Sequence, residues 1–559
     1  MYIKQGFLIP LMLGSFMVTS VYGFTDSNTD TDKDGISDRV EERLGLNPKI
    51  SNLPASDIKK KGFLEGFVLP GTTVQERYRY HIMNRLAFGA NDTLMKEIHA
   101  KGGTKAWIID QLENPQTSFE DGNDKAQDML NYAIFWGNGF GNSGALQTFA
   151  TVRPLHSEHQ LQAVMGRFWD NHFNTEFKKH KNIDSEMIEA DKFYFNAFGS
   201  FESLLKISAK SPAMLQYLDG FKSTKKSPNE NYAREVMELH TLGVNGGYGD
   251  DDIVTLSKIF TGWGIESDSS RSKHYDYTST GSKTEKIGRK KFKFRYGQHD
   301  NNGSHNRPSN RIFLKQNFSY TWQQEGEEAL HILATHNNTA TFICKKLAKF
   351  FISDEPSKET IRKCKGTFLA PNNIDNQIGE VLKTLFFNTP QFRNKRRNKV
   401  KDTQEYILSV ARLLELDAMK YRGKNQTKYL GRELFKRGQS FFDKPEPTGY
   451  AEVSTFWNNT SVAMKRLQFV NRILKKNNTL SRAYSLSDFF KKKYGENVTE
   501  SDIIFYLLPM TTGGYYTGED VGKALKLLNP QYTRQGHLEE NHLRNLVSWL
   551  VSRAEFNVQ

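Results

Sequence analysis

Residues 227–263 read SPNENYAREVMELHTLGVNGGYGDDDIVTLSKIFTGW, and this stretch decides the fold class. Ser227 stands as an N-cap, Pro228 suits the first turn and Glu230 completes a capping box. A helix over 228–242 is therefore predicted, with Gly243 as its C-terminal cap. A second helix is predicted over 251–261. At 100° per residue, Asn231, Arg234, Glu235, Glu238 and Thr241 share one arc of the first helix, and Tyr232, Val236, Met237 and Leu239 fall mainly on the other. His240 lies in the apolar arc as a core histidine. Outward from this block, helical periodicity recurs at 73–87, 157–173, 186–198, 325–335, 338–352, 357–368, 376–387, 402–415, 460–476 and 539–554. The clearest strand signal is the basic–aromatic alternation of residues 291–296. The expected fold class is mainly α: a multi-helical domain with a small β element, preceded by a short calcium-loop segment.

The chain has 559 residues, 37% hydrophobic and 25% charged, with a net charge of +14 and a pI near 9.3. A basic surface favours polyanions such as acidic polysaccharide. The basic clusters Arg289-Lys290-Lys291, Lys395-Arg396-Arg397 and Lys491-Lys492-Lys493 lack the interleaved aromatic rings of a single-strand platform, so no nucleic-acid partner is expected. Lys4, an apolar run over 6–18 and Val21-Tyr22-Gly23 read as a signal peptide cleaved after Gly23. That run is short for a membrane span, and no later segment is long and apolar enough to span. The expected location is periplasmic or extracellular. Only Cys344 and Cys364 occur, an even count that suits an oxidising compartment. They lie on two predicted helices joined by Asp354-Glu355-Pro356, whose antiparallel packing would bring them together. A disulfide there would contribute roughly 3 kcal/mol.

Residues 30–41 read DTDKDGISDRVE and match the calcium-loop pattern at every specified position. Asp30, Asp32, Asp34 and Asp38 supply carboxylates, Ile36 a carbonyl, and Glu41 a bidentate carboxylate, while Gly35 allows the sharp turn. The chain divides into a leader (1–23), a calcium segment (24–50), a linker (51–71) and a main domain (72–559).

The calcium segment, continuing through Gly45-Leu46-Asn47-Pro48, resembles a single thrombospondin type 3 repeat, which implies calcium binding and a spacer role. The main domain resembles the bacterial domain-of-unknown-function 1800 family. The resemblance rests on HIMNRLAFGA (81–90), MGRFWDNHFNTE (165–176), SPAMLQYLDG (211–220), the 227–263 block, YGQHD (296–300), LHILATHNNTATFICKKLAKFFISDEP (330–356) and SWLVSRAEFNVQ (548–559). It implies secretion and a sulfatase-like gene neighbour, and no proven substrate. The chain departs from the family pattern twice. Residues are inserted after His299-Asp300, leaving Arg311 near where the family has a lysine. Asp170 also replaces the first histidine of the family's WHNHF.

Glu235 and Glu238 are neighbours on the predicted helix. They could ligate a cation or divide acid and base roles; an ordinary solvated ion-pair face, with Arg234 as counter-charge, is the alternative. Asn229, Glu230, Asn231, Arg234, Glu235 and Glu238 all match the family motif. His172 closes an amphipathic helix, at the edge of a core made by Leu161, Val164, Met165 and Phe168. His299-Asp300 follows the predicted strand, and His336 reads as a cap. No P-loop, HExxH, GxSxG or paired CxxC occurs.

Two functions of different class remain. One is a metal-assisted hydrolase of an extracellular glycan, with Glu235, Glu238, His172, His299 and Asp300 as catalytic or ligating groups. Asn231, Arg234 and Trp169 would then touch substrate, and a second metal of unassigned identity would join the calcium. The other is a non-catalytic, calcium-tethered protein of the envelope or matrix that binds acidic polymers. Convergence of His172, Glu235, Glu238 and His299 in one pocket would favour the first; their scatter would favour the second.

Overall fold

The computed structural model describes residues 71–118, 143–268, 289–300, 311–318, 320–370, 375–394, 397–416, 437–474, 485–530 and 538–559, with Thr31, Lys49 and Leu69 as isolated positions. The leader, the calcium positions Asp30, Asp32, Asp34, Ile36, Asp38 and Glu41, and the body of the linker lie outside the described residues. The main domain is mainly α, as expected, with two small sheets.

The helix Gln160–His172 is the hub. Leu161, Val164, Met165 and Phe168 recur at helical spacing and bury one side, but Gln160, Gln162 and Trp169 are buried as well. The polar members are tolerated because their groups are paired. Gln162 donates to the carbonyls of Gln116 (2.7 Å) and Tyr194 (2.9 Å) and accepts from the Gln116 amide (2.9 Å). Gly166 lets the helix Ile183–Phe195 approach closely: a Cβ there would lie 3.3 Å from the Tyr194 Cα.

Rings carry the core outward from this helix. Trp169 meets Phe168 with centroids 4.9 Å apart, and Phe168 meets Phe350 at 5.2 Å. The series continues through Phe351 (4.8 Å), Phe386 (5.2 Å), Phe392 (5.0 Å) and His81 (5.4 Å). In the other direction Trp169 reaches Phe173 (6.1 Å) and then Phe193 (5.3 Å). Most steps are edge-to-face or tilted, the geometry that ring quadrupoles favour. The Phe350–Phe351 step belongs to the helix Asn337–Phe351, which pairs with Lys358–Phe368. The Cys344–Cys364 disulfide staples these two, with Cα atoms 5.7 Å apart.

Residues 263–268 and 289–294 form one antiparallel pair, and residues 311–313 and 316–318 form a hairpin. Only part of the 289–294 strand was legible in sequence; the other three strands are short and lack alternation. The hairpin turn Leu314-Lys315 has positive φ at both residues (49° and 63°), unusual without Gly or Asn. The Asp252 carboxylate holds it by accepting from the Leu314 amide at 2.8 Å.

The helix predicted over 228–242 is corrected in two respects. Its N-cap is Asn229, whose side chain accepts from the Asn231 amide, and Ser227 instead closes a small turn onto Thr224. Only Glu230–Glu235 is α-helical; Val236–His240 is a π turn. The wider turn takes Thr241 off the predicted polar arc. Thr241 is fully buried, and its hydroxyl donates to the Val236 carbonyl at 2.6 Å.

Candidate functional site

The C-terminal turn of Gln160–His172 faces a cleft, and the segment 437–457 forms the opposite wall. Asn171 fixes that wall: its Nδ2 donates to the Tyr450 carbonyl (3.0 Å) and its Oδ1 accepts from the Tyr450 amide (2.7 Å). Gly449 makes the approach possible. Its φ is +71°, and a Cβ would sit 2.2 Å from the Asn171 carbonyl oxygen. The free space within the cleft is about 40 Å³, widening into solvent at its mouth. Its lining includes Arg167, Asp170, Asp402, Phe441, Tyr450 and Trp457.

Within it, Arg167 bridges Asp402 and Glu405 (3.6 Å to the latter), which themselves form the capping box of Thr403–Leu413. Asp170 is different. Among the described residues no hydrogen bond reaches its carboxyl. Burial, then the Glu186 carboxylate, push that carboxyl well above the usual carboxylate range, against the pull of Arg167. Behind Asp170 lies a buried acid group: Thr175 Oγ1 donates to Glu186 (3.0 Å), and His180 Nε2 contacts the same carboxylate (2.5 Å). Glu189 is raised by its burial, and by Glu186 and Asp170.

The residues assigned from sequence do not converge. None of Glu235, Glu238, His172 or His299 lines this cleft. Trp169, assigned to substrate, is 0% exposed and donates Nε1 to the Ala197 carbonyl at 2.9 Å, so it is a core ring. His172 is buried with both nitrogens engaged: Nε2 donates to the His240 carbonyl (3.0 Å), and Nδ1 accepts from Lys346 (3.1 Å). Burial, with Lys346 and His240 nearby, holds its pKa well below the ordinary value. His240 is a core histidine as expected, but among the described residues neither ring nitrogen has a partner, and burial pushes it down to about 3.

His299 and Asp300 belong to a separate buried cluster. His299 Nδ1 lies 2.9 Å from the Thr261 carbonyl, and Nε2 lies 3.0 Å from Glu325. Arg311 donates to Glu325 (2.8 Å) and to the Asp300 carbonyl. Arg311 thereby neutralises Glu325. Glu235 and Glu238 are half-buried. Partial burial, then Glu238, raise the Glu235 carboxyl, opposed by Arg234. Arg234 and Asn231 are exposed; Arg234 lies 3.7 Å from Glu230. His336 caps the helix Asn337–Phe351 as expected, accepting from the Asn338 amide at 3.1 Å. Among the described residues no group of three or more His, Cys, Asp or Glu is arranged to hold a metal ion, so the assigned residues do not fit a shared metal.

The sequence model of a family described as protein of unknown function, DUF1800, matches residues 81–558. The chain belongs to the DUF1800 family. No curated protein and no solved structure matches it. The family description carries no activity, so the cleft has to be read from its own chemistry. Sequence reasoning marked Asp170 only as a departure from WHNHF. The signal that could have found the site was the quoted motif MGRFWDNHFNTE, which holds Arg167, Asp170 and Asn171 together.

Two outcomes test these placements. His172 and His240 are neutral in the folded chain, while the unfolded chain protonates them near pH 6.5. Folding stability should therefore fall as pH drops from about 6.5 to 5, by up to about 1.4 kcal/mol per pH unit for each histidine. His240→Phe should remove about half of that slope in denaturant titrations, and an unchanged slope would contradict the assignment. Glu325→Gln should cost about 3–5 kcal/mol, because it leaves Arg311 and His299 buried without their carboxylate. Joint change of Glu235 and Glu238 to Gln should cost less than about 1 kcal/mol. Equal losses in chemical denaturation would refute the contrast.

Proposed function

We propose that this DUF1800 protein acts outside the cytoplasm, in the periplasm or beyond, as a hydrolase of an extracellular glycan, and that the cleft at Asp170 is its active site. One observation carries the reading. Asp170 is an unpaired carboxyl whose proton is retained by burial and by Glu186, at the wall of an open cleft. Such a group can donate a proton to a leaving oxygen. Tyr450 and Trp457 line the cleft beside amide and carboxylate groups, the mixture of apolar and polar lining that a sugar site uses. Arg167 is positioned by Asp402 and Glu405, and it limits how far the Asp170 carboxyl is raised.

The extracytoplasmic location rests on the leader and is supported by the Cys344–Cys364 bridge. Calcium at Asp30, Asp32, Asp34, Ile36, Asp38 and Glu41 is part of the same proposal, in a spacer segment that precedes the main domain. An acidic polysaccharide is the proposed partner, given the net charge of +14, and a sulfatase-like protein a proposed neighbour. A second reading, a non-catalytic protein of the envelope or matrix, is favoured by the scatter of His172, Glu235, Glu238 and His299 outside the cleft and by one feature of the cleft itself. Several of its polar groups already bond to one another, as in Asn171–Tyr450 and Arg167–Asp402.

Screening the chain against polysaccharides separates the two. The enzyme reading expects reducing ends to appear from at least one polymer, and Asp170→Asn to lower that rate by about 100-fold or more without lowering the melting temperature. Full activity in Asp170→Asn would remove the acid role, and binding without cleavage would favour the second reading. Calorimetry of the chain with calcium should show binding on the order of 10⁻⁴–10⁻³ M. Asp34→Ala should abolish it; no heat at millimolar calcium would refute the loop assignment.

A further inference from the structure

A second cavity lies apart from the Asp170 cleft, between the start of the main domain and its C-terminal end. Its walls include Arg77 and Tyr80 from the helix Val74–Arg85, and Arg397, Lys401, Tyr515 and Glu555 from later segments. It measures about 320 Å³ to its mouth, and its closed part admits something the size of a water molecule.

The charge around it is unbalanced. Lys401 is 1% exposed. Its Nζ lies 4.3 Å from the centre of the Phe556 ring, and among the described residues no carboxylate or carbonyl accepts from it. Arg397 gives its guanidinium hydrogen bonds to two neutral main-chain carbonyls, Thr512 and Glu555. Arg77 does likewise, donating Nε to the Gly514 carbonyl at 3.0 Å. Both guanidinium groups also sit over the Tyr515 ring, at 4.5 Å for Arg77 and 5.1 Å for Arg397. Arg466, buried behind Lys401, bonds the Lys401 carbonyl and Asn557 Oδ1 (2.5 Å) and no carboxylate. Among the described side chains of the wall, Glu555 is the one acid, and it is taken by Arg553 at 3.0 and 3.2 Å; the Gln559 main-chain oxygen, also in the wall, is taken by Arg85 at 2.8 Å. The nearby Glu405 is shared with Arg167 and the Gln559 amide.

Burying cations without partners is costly, and removing a partner from a buried pair costs several kcal/mol. A bound anion relieves that cost for all of them together. Burial pushes the Lys401 ammonium down to about 7, with Glu405 opposing and Arg397 and Arg466 adding to the fall. Tyr80 adds a phenol O–H that burial keeps protonated.

We propose that this cavity is a binding site for a small inorganic anion of chloride size, held between Lys401, Arg397 and Arg77. The closed part of the cavity holds about one water-sized body, so only a compact, monatomic anion is seated there. The site joins the helix at the start of the main domain to its C-terminal segment, so the anion stabilises the closure of the domain.

The test uses the full chain and thermal melts at constant ionic strength, with sodium chloride replacing sodium gluconate. Stabilisation should appear as a rise in melting temperature of about 1 °C per tenfold increase in chloride above saturation onset. Lys401→Met should remove the chloride dependence. Arg77→Gln, at a half-buried position, should weaken it several-fold, and it serves where Lys401→Met does not fold. Crystals soaked in bromide should show an anomalous peak beside Lys401 Nζ. Identical melting in chloride and gluconate would overturn the proposal, as would a chloride effect that survives both substitutions. Stabilisation by inorganic phosphate with none by chloride would overturn the assigned size.

Discussion

The packing of Gln160–His172 on nearly all sides is the constraint on which the rest of the structure depends. A helix with one apolar stripe would leave its Gln and Asn side chains in water. Here Gln162 and Asn171 are enclosed and must be satisfied by specific backbone groups, from Gln116, Tyr194 and Tyr450. Those bonds fix the neighbours in place. They set the separation between this helix and the 437–457 wall, and so the existence of the cleft. The helix is therefore both the core and one face of the candidate site, and the same turn that buries Trp169 and His172 presents Asp170 outward.

The charged groups sort by the same logic. Glu325, Arg311 and His299 are buried together and neutralise one another. His172 and His240 are buried without a carboxylate, so they stay neutral. Asp170 keeps its proton because burial and the Glu186 carboxylate outweigh the pull of Arg167. Lys401, Arg397 and Arg77 form the opposite case, with positive charge in excess around a cavity. Unbalanced burial costs free energy, and Asp170 and Lys401 each line a cavity.

The π turn at Val236–His240 connects these themes. Its extra residue per turn buries Thr241 and aims the His240 carbonyl at His172 Nε2. It leaves Glu235 and Glu238 half-exposed on the other side. Such turns are often kept at functional sites; here the visible consequence is structural, the joining of two core histidines across helices that are distant in sequence.

How much was legible without coordinates differs between fold and site. Apolar spacing and capping residues determined the helices and the mainly α class, because those signals are local and repeat within a few residues. The even cysteine count and short intervening loop also anticipated the disulfide. Family motifs placed Arg167, Asp170 and Asn171 in one string, and marked Glu235, Glu238 and His299-Asp300. Which of these residues meet depends on burial and on contacts between segments hundreds of residues apart. Asn171 pairs with Tyr450, Arg167 with Asp402, and Arg77 faces Lys401. No period or cap in either partner encodes such a pairing. Tertiary packing alone decided that His172 and Trp169 are core, that His299 is locked to Glu325, and that Asp170 is left facing a cleft. The physical reason is that helix formation reads neighbours along the chain, whereas the protonation and partners of a side chain are set by whatever the fold packs against it.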